Sequence, residues 1–171
     1  MDNIYLLGFM GTGKSSAGKV LAQRLKLDFI DLDALIEDKE KETIVDIFKK
    51  KGEEYFRKLE TQTLGEVAKR GGLVVACGGG IVLKEENIKI MGKSGIPICL
   101  EASAEVIYAR TRDETFRPLL NVSDPLARIK ELLRQRKPFY DKIKLRLDTT
   151  GLTIEETAIK IEEIIKKDGE V

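Results

Sequence analysis

Short apolar runs alternate along the chain with stretches that carry apolar residues at helical spacing. Buried strands are predicted at Ile4–Leu7, Phe29–Asp31, Leu73–Cys77 and Pro97–Leu100, and a weaker one at Leu145–Leu147. Helical spacing predicts helices over residues 14–26, 33–41, 43–70, 84–94, 103–112 and 153–167. This alternation predicts an α/β fold with a parallel sheet covered by helices on both faces.

Two interruptions of this pattern are informative. Gly52 is expected to break the helix predicted over residues 43–70. Residues 113–124 show no periodicity, and Ser123-Asp124-Pro125 then predicts a new helix start, because Pro is favoured in the first helical turn. A loop of this length in a compact domain is more often functional than not.

Composition narrows the class of protein. The 171 residues predict a single domain, 1–171, and 42% apolar residues suffice for a core. Lys and Arg number 30 against 29 Asp and Glu, so the net charge of +1 predicts neither nucleic acid nor a membrane surface as partner. No apolar run reaches the ~18 residues of a transmembrane helix. We expect a monomer, since the sequence shows no long apolar surface stripe.

The chain contains no histidine and only two cysteines, Cys77 and Cys99. This excludes Ser-His-Asp and Cys-His catalysis, histidine-based zinc sites and imidazole acid–base chemistry. Two cysteines are too few for a disulfide scaffold, and they predict a reducing, cytoplasmic location. The chemistry therefore has to use lysine, arginine, carboxylates, hydroxyls, backbone groups or a bound metal.

Residues 8–15, Gly-Phe-Met-Gly-Thr-Gly-Lys-Ser, match the phosphate-binding pattern G-x-x-x-x-G-K-[ST] and stand between a predicted strand and a predicted helix. In this P-loop the glycines let backbone N–H groups turn toward phosphate oxygens, and the helix N-terminus adds partial positive charge. Lys14 is expected to reach the β- and γ-phosphates of a nucleotide, and the Ser15 hydroxyl to bind Mg²⁺.

Two carboxylates follow the second predicted strand. Asp31 and Asp33 are two positions apart, and side chains at that spacing on a strand share a face. Both could then point toward the P-loop, Asp31 supporting the metal and Asp33 orienting an acceptor hydroxyl. The alternative is that Asp33 only caps a helix that begins at Ala34.

Arginines and glycines mark the remaining candidates. Seven of the ten arginines lie between Arg110 and Arg146, and Arg117 stands in the irregular stretch as Phe-Arg-Pro. Arginine favours bidentate recognition of phosphate or carboxylate, and a mobile cation stabilises charge during phosphoryl transfer. Gly78, Gly79 and Gly80 follow the strongest predicted strand and permit close approach of a ligand or of the P-loop, although they are also compatible with a flexible turn.

As a set, these motifs resemble the shikimate kinase family over nearly the whole chain. The resemblance lies in the order and spacing of the P-loop, Asp31-Leu32-Asp33, the segment Gly52–Glu60, Gly78–Gly80, Arg117–Leu120 and Arg136. It implies a P-loop fold like that of nucleoside monophosphate kinases, with three layers and a five-stranded parallel sheet of order 2-3-1-4-5. It also implies a substrate-binding segment at about residues 33–60 and a lid at about 113–124.

The resemblance further implies ATP, Mg²⁺ and shikimate as ligands and the formation of shikimate 3-phosphate and ADP, a step toward aromatic amino acids. The implied nucleotide contacts are Gly11, Thr12, Gly13, Lys14, Ser15, Ser16, Arg110, which would pack on adenine, and Arg117 from the lid. The implied metal contacts are Ser15 and, through water, Asp31. The implied shikimate contacts are Asp33 on its hydroxyls, Arg57 and Arg136 on its carboxylate, and Gly78, Gly79 and Gly80.

Lys14, Asp33 and Arg117 are the expected catalytic residues. Arg57 and Arg136 are expected to lower the pKa of Asp33, which would then be a weak base that mainly orients the hydroxyl. Two alternatives remain. One is another small-molecule kinase of this fold, such as a gluconate or nucleoside monophosphate kinase, and the other is a nucleotide-binding module without catalysis.

Overall fold

A computed structural model describes residues 2–112, 120 and 122–169 of the chain. Its centre is a parallel sheet of five strands, and the strand order is β2-β3-β1-β4-β5. The strands are β1 (Asn3–Gly8), β2 (Asp28–Asp31), β3 (Leu73–Ala76), β4 (Gly95–Glu101) and β5 (Leu145–Asp148). The predicted fold class and strand order are confirmed.

Seven α-helices accompany these strands in the described part of the chain. They are α1 (Lys14–Leu25), α2 (Leu32–Glu40), α3 (Ile44–Val67), α4 (Glu85–Ser94), α5 (Ala104–Thr111), α6 (Pro125–Tyr140) and α7 (Ile154–Asp168). A short 3₁₀ helix at Ile81–Leu83 was not predicted. The expected break at Gly52 is confirmed, since this residue has φ 84° and ψ 168° inside α3.

The two faces of the sheet have separate apolar cores. Side chains alternate along β1, so Ile4 and Leu6 pack with α1 and α7, while Tyr5 and Leu7 pack with the other helices. All four of these side chains are at most 4% exposed. Burial on both faces explains why the central strands appear in the sequence as continuous apolar runs. The result is the expected three-layer arrangement.

The sheet brings the chemistry-bearing loops to one edge. β1 lies between β3 and β4, and Leu6 is in register with both Ala76 and Ile98. β2 adds Asp31 in register with Ala76. Because the strands are parallel, their carboxyl ends meet at the same edge, where ligands of open α/β sheets bind. The loops after β1, β2 and β3 therefore lie side by side.

None of the described helices combines the length and the apolar character needed to cross a bilayer.

The opposite end of β1 is held by one buried amide. The Asn3 side chain is fully buried; its Nδ2 donates to the carbonyl of Arg70 at 2.7 Å, and its Oδ1 accepts from the N–H of Leu73 at 3.1 Å. These bonds join the start of β1 to the turn that precedes β3. The amide therefore aligns two neighbouring strands far from the carboxyl edge.

We expect Asn3→Ala to lower the free energy of unfolding by about 2 kcal/mol, because it leaves buried backbone groups unpaired. Urea unfolding of the wild type and the variant measures this difference. Gln62→Ala, which truncates an exposed amide on α3, is the control and should change stability by less than ~0.5 kcal/mol. Equal stability of the Asn3 variant and the wild type would contradict this role.

Candidate active site

The P-loop adopts the conformation that its glycines allow. Gly11 and Gly13 have φ of 77° and 94°, and Gly13 precedes the first residue of α1. The left-handed conformation is unfavourable for residues with a Cβ, so glycine at these positions lets the backbone curl around the helix N-terminus. The predicted phosphate cradle is thus present between β1 and α1.

Lys14 lies at the mouth of this loop. Its Nζ donates to the carbonyls of Gly8 and Phe9, at 2.9 Å each. Thr12 differs from its neighbours, because its side chain is 1% exposed and its hydroxyl donates to the Phe9 carbonyl at 2.7 Å. The Thr12 side chain therefore stabilises the loop from inside. Ser16 is exposed in the first turn of α1.

Ser15 and Asp31, the two predicted metal contacts, lie next to each other. The Ser15 hydroxyl donates to Oδ2 of Asp31 at 2.6 Å, while Oδ1 of Asp31 accepts from the N–H of Ala34 and caps α2. A hydroxyl and a carboxylate side by side next to a phosphate cradle are the oxygen ligands that Mg²⁺ prefers. No group of three or more acidic or cysteine side chains arranged for a metal occurs in the described ranges. These two residues fit a Mg²⁺ that keeps waters and phosphate oxygens as its other ligands.

Asp33 reaches the site by a different route from the one predicted. β2 ends at Asp31, and Asp33 lies in the first turn of α2. The expectation that strand alternation aligns the two carboxylates is therefore wrong, and so is the alternative in which Asp33 caps the helix, since Asp31 is the cap. The two side chains come together because α2 begins directly at the sheet edge.

The predicted direction of the Asp33 pKa is also wrong. Burial, and then the negative charge of Asp31, raise the pKa of Asp33 to about 6, although Lys14 and Arg57 act to lower it. Its Oδ1 is shielded from solvent and has no hydrogen-bond partner in the described residues. Desolvation outweighs the nearby cations because the carboxylate loses more hydration free energy than the attraction of Lys14 and Arg57 restores.

The three glycines after β3 allow Asp33, Arg57 and Arg136 to converge. A Cβ at Gly78 would lie 2.7 Å from Oδ1 of Asp33, and a Cβ at Gly80 would overlap the Arg57 guanidinium. A Cβ at Gly79 would lie 3.2 Å from Nη1 of Arg136. A Cβ at Gly78 or Gly80 would require Asp33 or Arg57 to move, while one at Gly79 would require Arg136 to shift by only a few tenths of an ångström, so the glycines permit this close approach. The structure thus brings Asp33, Arg57 and Arg136 together.

Glu60 was missed as a member of the site. It is fully buried on α3, its Oε2 accepts from Nη1 of Arg57 at 2.8 Å, and its Oε1 lies 3.1 Å from a Cβ at Gly78. The pKa of Glu60 is raised to about 7, because the effect of burial exceeds the opposite effect of the charge and the hydrogen bond of Arg57. Its position three residues after Arg57, on the same helix face, is the sequence signal that could have identified it.

Arg110 joins the P-loop to the loop after β5. Its Nη1 donates to the Gly11 carbonyl at 3.1 Å and to the Thr149 hydroxyl at 3.3 Å, and its Nη2 donates to the Thr149 carbonyl at 3.2 Å. Thr149, which is 1% exposed, also lies within hydrogen-bonding distance of the Thr12 carbonyl. Sequence reasoning did not assign Thr149 a role. Arg117 and most of the predicted lid, 113–124, lie outside the described residues.

Comparison with known proteins decides the family. The shikimate kinase family model matches residues 10–167. A shikimate kinase of Thermodesulfovibrio yellowstonii is 48% identical over 167 residues, which are 98% of this chain and 95% of that protein. The chain belongs to the shikimate kinase family. Shikimate kinases phosphorylate shikimate with ATP and Mg²⁺ on the route to aromatic amino acids, which fits an enzyme built on a P-loop.

Solved structures agree with this family. A shikimate kinase from Acinetobacter baumannii in complex with shikimate has a TM-score of 0.93 and 37% identity, covering 98% of this chain and 94% of that one. The Aquifex aeolicus shikimate kinase has a TM-score of 0.85 and 34% identity, covering 98% of each chain. A gluconokinase from Sinorhizobium meliloti, at 18% identity and a TM-score of 0.62, shares only the fold.

The buried Glu60 predicts a pH dependence of stability. Between its ordinary pKa of 4.5 and its value of about 7 in the folded protein, the folded state keeps a proton that the unfolded chain releases. The free energy of unfolding should therefore fall as the pH rises through this window. Position 60 cannot titrate in Glu60→Gln. Urea unfolding of this variant at several pH values should therefore show a smaller decrease of the free energy of unfolding with pH.

The matched control for this experiment is Glu53→Gln. Glu53 pairs with the same guanidinium at 3.2 Å, but its side chain is 62% exposed against 1% for Glu60. Its variant should keep the wild-type slope, and the slope that remains in Glu60→Gln should come from Asp33. Identical slopes for the wild type and Glu60→Gln would show that Glu60 does not hold its proton.

Proposed function

We propose that this chain transfers the γ-phosphoryl group of ATP to the 3-hydroxyl of shikimate through the residues at the carboxyl edge of its sheet. The observation that supports this most directly is the meeting of a phosphate cradle with a carboxylate, Asp33, and two arginines, Arg57 and Arg136, around three glycines. A cradle alone would indicate nucleotide binding. A carboxylate beside two arginines adds groups suited to a hydroxylated, carboxylated acceptor.

On the nucleotide side, the P-loop N–H groups at residues 11–16 hold the phosphates and Lys14 contacts the group that is transferred. Ser15 and Asp31 would hold Mg²⁺, which when bound neutralises the charge that develops on the phosphate oxygens. The bond between Ser15 and Asp31 at 2.6 Å already places both oxygens beside the loop.

On the acceptor side, Arg57 and Arg136 bind the carboxylate while Gly78, Gly79 and Gly80 leave room for the ring. Asp33 accepts hydrogen bonds from the acceptor hydroxyls and takes the proton of the 3-hydroxyl as the bond to phosphorus forms. Phosphoryl transfer passes through a loose transition state, so positioning and neutralisation of charge account for most of the rate. A carboxyl with a pKa of about 6 is matched to this late proton transfer near neutral pH.

Arg110 and Arg117 complete the nucleotide side of the proposal. Arg110 stands where the P-loop meets Thr149 and can pack on the adenine from there. The role of Arg117 is proposed from the sequence motif Phe-Arg-Pro-Leu-Leu: this residue would be the cation of a lid over about residues 113–124. Residues of about 33–60 form the substrate-binding segment of a single kinase domain spanning 1–171.

We further propose that the enzyme acts as a monomer in the cytoplasm, without nucleic acid or membrane as partner. Cys77 and Cys99 are both buried free thiols, as a reducing compartment favours. The exposed large apolar side chains in the described ranges are Tyr55 on α3, Val122 before α6, and Ile154 and Ile159 on α7.

The assignment of the acceptor is tested by coupled measurement of ADP release with ATP and Mg²⁺. We expect release to depend on shikimate and not on gluconate or nucleoside monophosphates, because of these compounds only shikimate carries a carboxylate on a hydroxylated ring. Stimulation by gluconate or a nucleotide alone would favour the neighbouring kinases of this fold. ATP binding without stimulation by any acceptor would favour a non-catalytic module.

The role of Asp33 predicts a loss of turnover with retention of nucleotide binding. Asp33→Asn keeps the size of the side chain but cannot accept the proton, so kcat should fall by about 10²-fold or more. Asp38→Asn, an exposed position on the same helix that pairs with Lys41, should leave kcat unchanged. Steady-state kinetics with nucleotide titration separates the two effects. Near-normal turnover of Asp33→Asn would exclude the proposed role.

A further inference from the structure

Tyr140 connects α6 to the glycine loop, Gly78–Gly80, through a hydrogen bond. It lies at the C-terminal end of α6 and is 5% exposed. Its hydroxyl donates to the carbonyl of Gly79 at 2.7 Å. Because the peptide group is planar, a fixed Gly79 carbonyl also fixes the N–H of Gly80, which points to the opposite side. The hydroxyl therefore sets the orientation of a backbone amide within the acceptor site.

The same hydroxyl lies next to Arg136. Residues 136 and 140 are one helical turn apart and share a face of α6. The Arg136 guanidinium stacks over the Phe9 ring, with Cζ 5.4 Å from the ring centroid. A Cβ at Gly79 would lie 3.2 Å from Nη1 of Arg136, 3.4 Å from the Gly8 carbonyl and 3.6 Å from the Tyr140 hydroxyl. One small space thus holds the guanidinium, the hydroxyl and the start of the P-loop.

The Tyr140 hydroxyl remains a donor across the working range of the enzyme. Burial raises the pKa of Tyr140 to about 12, while the charge and hydrogen bonding of Arg136 lower it only in part. A protonated phenol can donate to the Gly79 carbonyl, and its oxygen stays available to Arg136 as an acceptor.

We propose that Tyr140 is a positioning residue for recognition of the substrate carboxylate. Its hydroxyl holds the Gly79 peptide and the Arg136 guanidinium in the arrangement that receives this group, without touching the substrate. The inference rests on the proposed function, because it assigns the carboxylate to Arg136 and the glycine loop. It predicts an effect on shikimate that is separate from any effect on ATP.

Tyr140→Phe tests this, since it removes the hydroxyl and keeps the ring that packs in the core. We expect the KM for shikimate to rise about five- to tenfold, as for the loss of one buried hydrogen bond, with the KM for ATP unchanged and kcat within about twofold. Thermal unfolding establishes that the variant is folded. Tyr140→Met, which also lacks the hydroxyl but adapts its shape, should raise the same KM.

Tyr5→Phe is the matched control. Tyr5 is fully buried and its hydroxyl is 2.7 Å from Oγ of Ser94, beside Asn3 at the start of β1 and away from the carboxyl edge. Its variant loses a buried tyrosine hydroxyl and some stability, and both KM values should stay at the wild-type level. If the shikimate KM rose equally in Tyr5→Phe and Tyr140→Phe, the effect of Tyr140 would come from a general loss of stability and not from positioning.

A double-mutant cycle with Arg136→Lys connects the hydroxyl to the carboxylate. If Tyr140 acts through Arg136, the two variants together should raise the shikimate KM by less than the product of their separate effects. An exact product, an unchanged shikimate KM in Tyr140→Phe, or an equal rise of the ATP KM would overturn the inference. Failure of the wild type to use shikimate would instead refute the proposed function.

Discussion

The site depends on how closely the loop after β3 approaches its neighbours. β1 and β3 are adjacent and parallel, so the P-loop and the glycine loop leave the sheet side by side. Three consecutive glycines let Asp33, Arg57 and Arg136 reach this loop from α2, α3 and α6, and a Cβ at Gly78 or Gly80 would overlap Asp33 or Arg57. Space, rather than the strength of any single bond, is therefore the constraint on which the acceptor site rests.

Close approach has an electrostatic consequence. Asp33 and Glu60 are both withdrawn from water near Gly78, and burial raises the pKa of each despite the neighbouring cations. Glu60 accepts from Nη1 of Arg57, and the exposed Glu53 accepts from its Nε and Nη2 at 3.3 and 3.2 Å. The two acids differ in their pairing: Glu60 forms an ion pair with Arg57 at 2.8 Å, whereas Oδ1 of Asp33 has no hydrogen-bond partner within the described residues.

The P-loop is held from both sides of the sheet edge. On the nucleotide side, Arg110 and Thr149 tie Gly11 and Thr12 to the loop after β5. On the other side, a Cβ at Gly79 would lie 3.4 Å from the Gly8 carbonyl, and the Gly79 carbonyl accepts a hydrogen bond from Tyr140. Residues on both sides therefore contact the backbone of the P-loop. The distance between the two sets of residues is set by the fold and not by bound ligands alone.

Local patterns in the sequence determined the strands, the helices and the P-loop, because apolar periodicity and glycine spacing act over a few residues. The family motifs extended this to Arg57, Arg136 and the glycine loop. Only the tertiary structure decided that Asp33 enters from the first turn of α2 and that its pKa rises. It also brought Glu60, Thr149 and Tyr140 into contact with Arg57, Arg110 and Gly79. These properties depend on burial and on contacts between residues far apart in the chain, since desolvation is set by everything that surrounds a group and not by its sequence neighbours.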